Sequence, residues 1–323
     1  MAQPVVAWHE AWQEALYSPR GFYRAGGATD LPFSTSVHGV PHAALVMARA
    51  LSVLADRHDL STLIDVGAHL GQLGTALRQV GSPLAYIGVD VNPRPRQMAD
   101  IDEWVRSPGG PQLPDDLRGM RDVLVVAQEW LDVVPAVVAS RGPAGGWHEV
   151  WVEARTGQSR PGPPVAAEDR QWLARWVGPE VSMAEVGRSR DDALRDLVDR
   201  VEHGMVVVID YGHHRHTRPP QGSLRGYSEG RQVAPVPDGS MDLTADVAID
   251  SLMSAAGPWP RWALTQRAAL GDLLGPAQAP DYCLASQDPQ AYLDGLAESG
   301  ARHGLQAPEA FGGFWWVYVD RTQ

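Results

Sequence analysis

IDVGAHLGQLG, residues 64–74, is the stretch on which the fold turns. An apolar run meets an acid, Asp65, and then glycines at Gly67, Gly71 and Gly74. That pattern predicts a buried strand, a turn whose backbone a ligand can approach, and a helix. The dinucleotide fingerprint wants G-x-G-x-x-G, and His69 stands where the second glycine belongs. Pyrophosphate needs close backbone approach at that position, so His69 counts against NAD. A nucleoside without pyrophosphate does not need that glycine, and neither does an ordinary strand-to-helix turn.

Further strands are predicted on either side of the insertion described below. LAYIGVDVN (84–92) ends in Asp90, RDVLVVAQEWLD (121–132) carries Glu129 and Asp132, and GMVVVIDYG (204–212) carries Asp210 and Tyr211. These runs lack strict alternation, as expected for parallel strands covered on both faces. Helical stretches between several of them suggest βαβ units. GGFWWVYVDR near the end of the chain reads as an aromatic strand closing the sheet, its FWW more core than stacking platform. Residues 5–17 and 40–57 read as helices flanking a Gly/Pro/Ser-rich loop, 18–36. Between the third and fourth strands lies an insertion: a strand at WHEVWVEA (147–154), a turn or mobile loop at RTGQSRPGPP, and helices over 167–178 and 190–202. A long polar segment, 213–242, follows. The expected architecture is α/β, with a cover over 1–58, a ligand-binding domain over 59–323, an insertion at about 140–200 and a substrate segment at about 213–258.

Composition narrows the function. A net charge of -12 argues against a nucleic-acid partner, because phosphate neutralisation needs a basic face. All 27 basic residues are arginine, which fits GC-rich coding bias. No apolar run reaches the roughly 18 residues needed to span a membrane. The first residues lack the basic and apolar regions of a signal peptide. The one cysteine, Cys283, excludes an internal disulfide, fits a cytoplasmic setting, and is expected to be small buried packing.

In an open parallel sheet, ligands bind at the carboxyl ends of strands, which would gather Asp65, Asp90, Glu129 and Asp210. Asp90 is placed to accept hydrogen bonds from ribose hydroxyls. An acidic rim favours a positively charged ligand, as the sulfonium of S-adenosylmethionine is. Glu129 and Asp132 share a face if their segment is helical, and paired carboxylates suit a cationic acceptor such as a guanidinium. Acids complementing a helix N-terminus are the plainer alternative. DYGHHRHT (210–217) has clustered histidines without metal-ligand spacing, so no metal is expected, and one of them, such as His213, is a candidate base.

Several stretches together resemble the MidA-like methyltransferases, a family that includes the mitochondrial complex I assembly factor that methylates a protein arginine. SPRGFYRAGGATDLPFSTS resembles the family's N-terminal motif through Asp30, Phe33, Thr35 and Ser36. IDVGAHLGQLG resembles its E-x-G-x-G-x-G-x-L loop, with Leu73 in the pattern. VVAQEWLDVVP matches N-E-x-x-D-A-x-P at Glu129, Asp132 and Pro135, and VVVIDYG matches its D-Y-G strand end. SLRGYSEGRQVAPVPDGSMDLTADVAIDSL matches at Leu224, Arg225, Tyr227, Asp242, Leu243, Thr244 and Val247. The resemblance implies a class I methyltransferase, Rossmann-like and mostly parallel sheet with an N-terminal helical segment and an inserted α/β substrate subdomain. It implies S-adenosylmethionine (SAM) as cofactor. With the residue reading it gives a cofactor site of Thr35, Ser36, Asp65, Gly67, His69, Gly71, Leu73, Asp90, Val91, Gln128 and Glu129. The catalytic candidates are Glu129, Asp132, Asp210, Tyr211 and His213.

The chain departs from the family pattern at Asp65, His69, Gln128, His38 and Asp246, and VGRSRDD (186–192) lacks the Ser-Pro before the insertion helix. Cofactor positions are kept better than the others. The expectation is retained SAM binding with a changed acceptor: a protein or peptide, arginine-like, or a specialised small molecule. A homodimer is compatible with this. The competing readings are a non-catalytic assembly protein of the same fold and an NAD-dependent oxidoreductase.

Overall fold

The computed structural model describes residues 5–24, 41–96 and 101–323. Its centre is a seven-stranded sheet. In chain order its strands are β1 (Thr62–Val66), β2 (Ala85–Asp90), β3 (Glu103–Arg106), β4 (Met120–Gln128), β5 (Val201–Asp210), β6 (Arg261–Thr265) and β7 (Trp315–Arg321). Across the sheet they run β6-β7-β5-β4-β1-β2-β3. The pairs from β3 to β5 are parallel, with Ile64 level with Ile87 and Val125, and Val125 level with Val206. β7 runs antiparallel to both β5 and β6.

β-branched residues dominate the middle strands, and adjacent residues serve opposite faces. Leu124 and Val126 enter one core with the helices Ala43–Arg57, Gln72–Gln79, Gln266–Leu274 and Pro289–Gln306. Val123 and Val125 enter the other, with Leu194 and Leu197 of the helix Arg188–Asp199 and Leu252 of the helix Ile249–Ala255. Burial on both faces is why these strands show no polar alternation.

A second sheet, five-stranded and wholly antiparallel, holds Val5–Ala7, Val137–Arg141, Trp147–Glu153, Ser159–Pro164 and Met183–Val186. Its first strand comes from the N-terminal segment, so the helix predicted from residue 5 begins at Trp8. The stretch expected to be a turn, 155–164, supplies a strand at its end despite Pro161, Pro163 and Pro164. That strand pairs on one side only, where proline's missing donor is tolerated. The polar segment after β5 also folds, as a three-stranded sheet of Arg225–Ser228, Arg231–Val233 and Asp242–Thr244.

The molecule is therefore α/β with mixed sheets. Among the described residues, parallel pairing between strands is limited to the five from β3 to β5 and the short contact of Gly212–His213 with Val247–Ala248, besides one isolated parallel bridge between Met183 and Gln221. "Mostly parallel" describes only part of the chain, because the insertion is built from antiparallel neighbours. Cys283 is exposed beside a short helix, not buried. Trp316 is in the core as expected, but Phe314 lines a cavity. No described helix is long and apolar enough to cross a membrane.

Candidate active site

A cavity of about 460 Å³ opens at the carboxyl ends of β1, β2 and β4. Asp65, Gly67, His69, Leu73, Asp90 and Val91 line one part of it. Gln128, Glu129, Asp132 and Tyr211 line another. The structure thus brings ten of the sequence candidates to one wall.

The loop after β1 is held by its neighbour. Gly67 and Ala68 donate their N–H groups to Val89 O at 2.9 and 3.1 Å. The His69 N–H donates to Asp90 Oδ2 at 2.9 Å, and the Asn92 N–H to Asp90 Oδ1 at 2.8 Å. Burial raises the Asp90 pKa, and the Asn92 and His69 N–H groups oppose that rise. Gly67 has φ +81°, and a Cβ there would meet nothing nearer than Trp130 Cβ at 4.0 Å. The loop backbone is therefore bare toward the cavity. His69 also has positive φ, 51°, which costs a non-glycine residue strain. Asp65 accepts from Tyr86 OH at 2.7 Å, and burial pushes its pKa up to about 6 against that bond.

The third motif glycine serves packing. A Cβ on Gly74 would lie 2.7 Å from the Tyr86 ring, so its absence lets the helix Gln72–Gln79 sit on β2. Gly71, at φ +69°, caps that helix and does not line the cavity.

Beyond Gln128 the chain turns sharply. Glu129 has φ +48°, and its N–H donates to Ile209 O at 2.8 Å. Asp210, fully buried, accepts from the Leu131 and Asp132 N–H groups at 3.1 Å each and from the Tyr211 N–H at 3.0 Å. Burial and the charges of Asp132 and Glu129 raise its pKa well above the carboxylate range. Asp210 sits behind the wall and shapes the turn that presents Asp132.

Asp132 takes a hydrogen bond from Tyr211 OH on Oδ2, while its Oδ1 is buried without a partner. Burial raises its pKa, and Tyr211, Arg190 and Arg225 pull it back. Arg225 lies 4.8 Å from the Tyr211 ring centre and pairs with Asp246 at 2.7 Å. Tyr23 OH donates to Asp242 at 2.7 Å. Burial, then the Asp132 charge, pushes Asp242 up to about 7.

Sequence reasoning missed part of this wall. Tyr17, Tyr23, Arg225, Asp242, Thr244 and Phe314 all line the cavity. Several were visible as motif residues, but none was read as a site residue. His213 is buried away from the cavity, and burial lowers its pKa to about 3, so the structure does not place it as an active-site base. His214 packs edge-on against Trp315. Among the described residues no group of three or more His, Cys, Asp or Glu side chains is arranged for a metal. Thr35, Ser36, Asp30, Phe33 and His38 fall outside the described residues.

Residues 60–258 match the model of a family described as "Putative S-adenosyl-L-methionine-dependent methyltransferase". The chain belongs to that family. It is a methyltransferase with SAM as cofactor, in keeping with the MidA-like resemblance, and the oxidoreductase reading gives way. A COG1565 superfamily member from Burkholderia thailandensis, solved with S-adenosyl-homocysteine (SAH), is 22% identical with a TM-score of 0.76. The match covers 98% of this chain and 88% of that one. A native crystal structure from the same organism and superfamily is also 22% identical, with a TM-score of 0.75 and the same coverage. This methyltransferase shares their fold. No curated protein matches the sequence.

Proposed function

We propose that the cavity holds SAM at the loop after β1 and at Asp90, and seats a methyl acceptor against Asp132, Thr244 and Glu129. The observation that carries this is a pair of orphaned atoms. Asp132 Oδ1 and Thr244 Oγ1 are buried, lack a hydrogen-bond partner, and belong to residues lining one cavity. A buried polar group left unpaired costs roughly 1–3 kcal/mol. An acceptor bringing N–H or O–H groups removes that cost.

The residues at the other end fit the cofactor. Each Asp90 oxygen uses one lone pair on backbone N–H and retains another for ribose hydroxyls. Gly67 offers bare backbone beside it. Val91, Leu73 and Gln128 supply the adjoining wall. Thr35 and Ser36 belong to this cofactor set on the strength of the resemblance, as Gly71 does through the loop it caps.

Bound SAM supplies an electrophilic methyl group on a sulfonium. The protein must then align the acceptor, exclude water and take up a proton. Tyr211 fixes Asp132 by Oδ2, leaving Oδ1 to receive the acceptor's proton. Burial makes that carboxylate more basic than an exposed one. Arg225 stacks on Tyr211 while Asp246 balances its charge, so the phenol is held without leaving a free cation in the wall. Glu129 is the second carboxylate facing the acceptor. The acceptor is an N or O nucleophile of a protein or peptide, arginine-like, or of a specialised small molecule. The segment to residue 58 acts as a cover and residues 140–200 as the inserted substrate subdomain.

The test is to prepare Asp132→Asn and Thr244→Val and measure SAH binding by calorimetry beside methyl transfer from labelled SAM to candidate acceptors. Both variants should bind SAH like the parent and lose transfer. Retained transfer in both would remove the proposed seat.

A further inference from the structure

A shallow groove lies at the opposite end of the central sheet from the cavity. Trp315 is level with Asp210 at the cavity end, whereas Arg261 is level with Val319 near the other. The groove is lined by Arg175, Trp176, Met253, Trp259, Pro260 and Arg261. Three elements meet there: the helix Ala167–Trp176, the helix Ile249–Ala255 with its following turn, and the start of β6.

The arginines at this groove are held in unusual ways for so acidic a chain. Arg175 lies 4.6 Å over the Trp176 ring and donates to Ser254 Oγ at 3.3 Å. Arg321 lies 4.0 Å over the Trp259 ring, and Arg261 donates to the Gly257 and Trp259 carbonyls at 2.8 and 3.0 Å. Among the described residues none of the three forms an ion pair, although the chain has 39 acidic residues against 27 basic ones. Arg175, its plane fixed on the Trp176 indole, and Arg261, anchored to the two carbonyls through Nη1 alone, each keep further N–H groups for a planar carboxylate. Arg175 and Arg261 are exposed at the rim, and the indoles, Met253 and the prolines supply an apolar floor between them.

We infer that this groove docks an acidic segment of a partner protein. Its carboxylates meet Arg175 and Arg261, and an apolar side chain between them rests on Trp259 and Met253. Charge complementarity selects this occupant: the guanidiniums have no carboxylate of their own, and the rest of the chain repels acidic partners. The groove's place at the far end of the sheet leaves the cavity open while the partner is bound.

The experiment uses the full chain and fluorescence anisotropy of labelled pentapeptides. The probes are Asp-Glu-Phe-Asp-Glu, its neutral counterpart Asn-Gln-Phe-Asn-Gln, and a short thymidine oligonucleotide. The acidic peptide should bind, and added salt should weaken it. The double variant Arg175→Glu, Arg261→Glu should lose at least about tenfold in affinity with SAH binding and melting temperature unchanged. Equal binding of the neutral peptide, tighter binding of the oligonucleotide, no peptide binding, or full retention in the double variant would each overturn the inference.

Discussion

Asp90 shows how one side chain joins loop geometry to ligand recognition. Its oxygens hold the His69 and Asn92 N–H groups and face the cavity as well. Replacing it by alanine should weaken SAH binding by about 1–3 kcal/mol, roughly fivefold to a hundredfold, as calorimetry would read. Unchanged affinity would separate Asp90 from the cofactor. Glu129→Gln belongs to the other end: SAH binding should persist and methyl transfer should fall to background. Asp242 makes a prediction about pH. Its pKa rises from 3.8 to about 7 on folding, chiefly by burial and then by the Asp132 charge. The folded protein therefore holds this proton more tightly than the unfolded chain does. The contribution to stability is fully present below about pH 4 and is lost as the pH rises through about 7. Asp242→Asn should remove that part of the decline. Melting curves from acid to neutral pH check it, and parallel curves for both proteins would contradict it.

At the scale of elements, the close seat of the helix Gln72–Gln79 on β2 depends on Gly74. Gly74→Ala forces a Cβ to within 2.7 Å of the Tyr86 ring, and Tyr86 also holds Asp65. The variant should lose about 1–3 kcal/mol of stability, the usual cost of overpacking, and bind SAH more weakly because the floor of the loop moves. Denaturant unfolding and calorimetry together read both effects. Asp65, Gly67, Asp90, Glu129 and Asp132 were legible because each sits at or just past the end of an apolar run, and His69 and Gly74 were legible from the glycine spacing that follows the first of those runs. The antiparallel strands Val137–Arg141 and Met183–Val186 were not, since each is short and has few signals of its own. The aromatic wall escaped for a different reason. Tyr17, Tyr23 and Phe314 reach the cavity only through long-range packing, and nothing in their local sequence marks that destination. His213 looked functional in a histidine-rich stretch, but burial beside Arg218 took it out of reach.

At the scale of the whole molecule, separate parts of the chain converge on the turn that presents Asp132. Arg190 of the insertion helix, fully buried, donates to the carbonyls of Asp132, Val134, Ala245 and Asp246. It ties the segment after β4 to the segment after Asp242–Thr244. Ligand binding at the cavity should therefore steady the whole chain: SAH at a hundred times its Kd should add about 2.7 kcal/mol to unfolding free energy, seen as one upward-shifted transition. A split transition, with only part of the signal moved, would show that insertion and central sheet unfold apart. The N-terminal helix is bound into the same arrangement, since the Trp12 indole N–H donates to Leu243 O across 231 residues of sequence. On the ribosome that donor emerges early and its acceptor late. At about 5–20 residues per second, Trp12 waits on the order of 10–50 s for its partner, with Trp8, Leu16 and Phe22 exposed beside it. The segment that brings Tyr17 and Tyr23 to the cavity is thus the one a nascent chain must shield longest, and its folding is timed by synthesis of the C-terminal half.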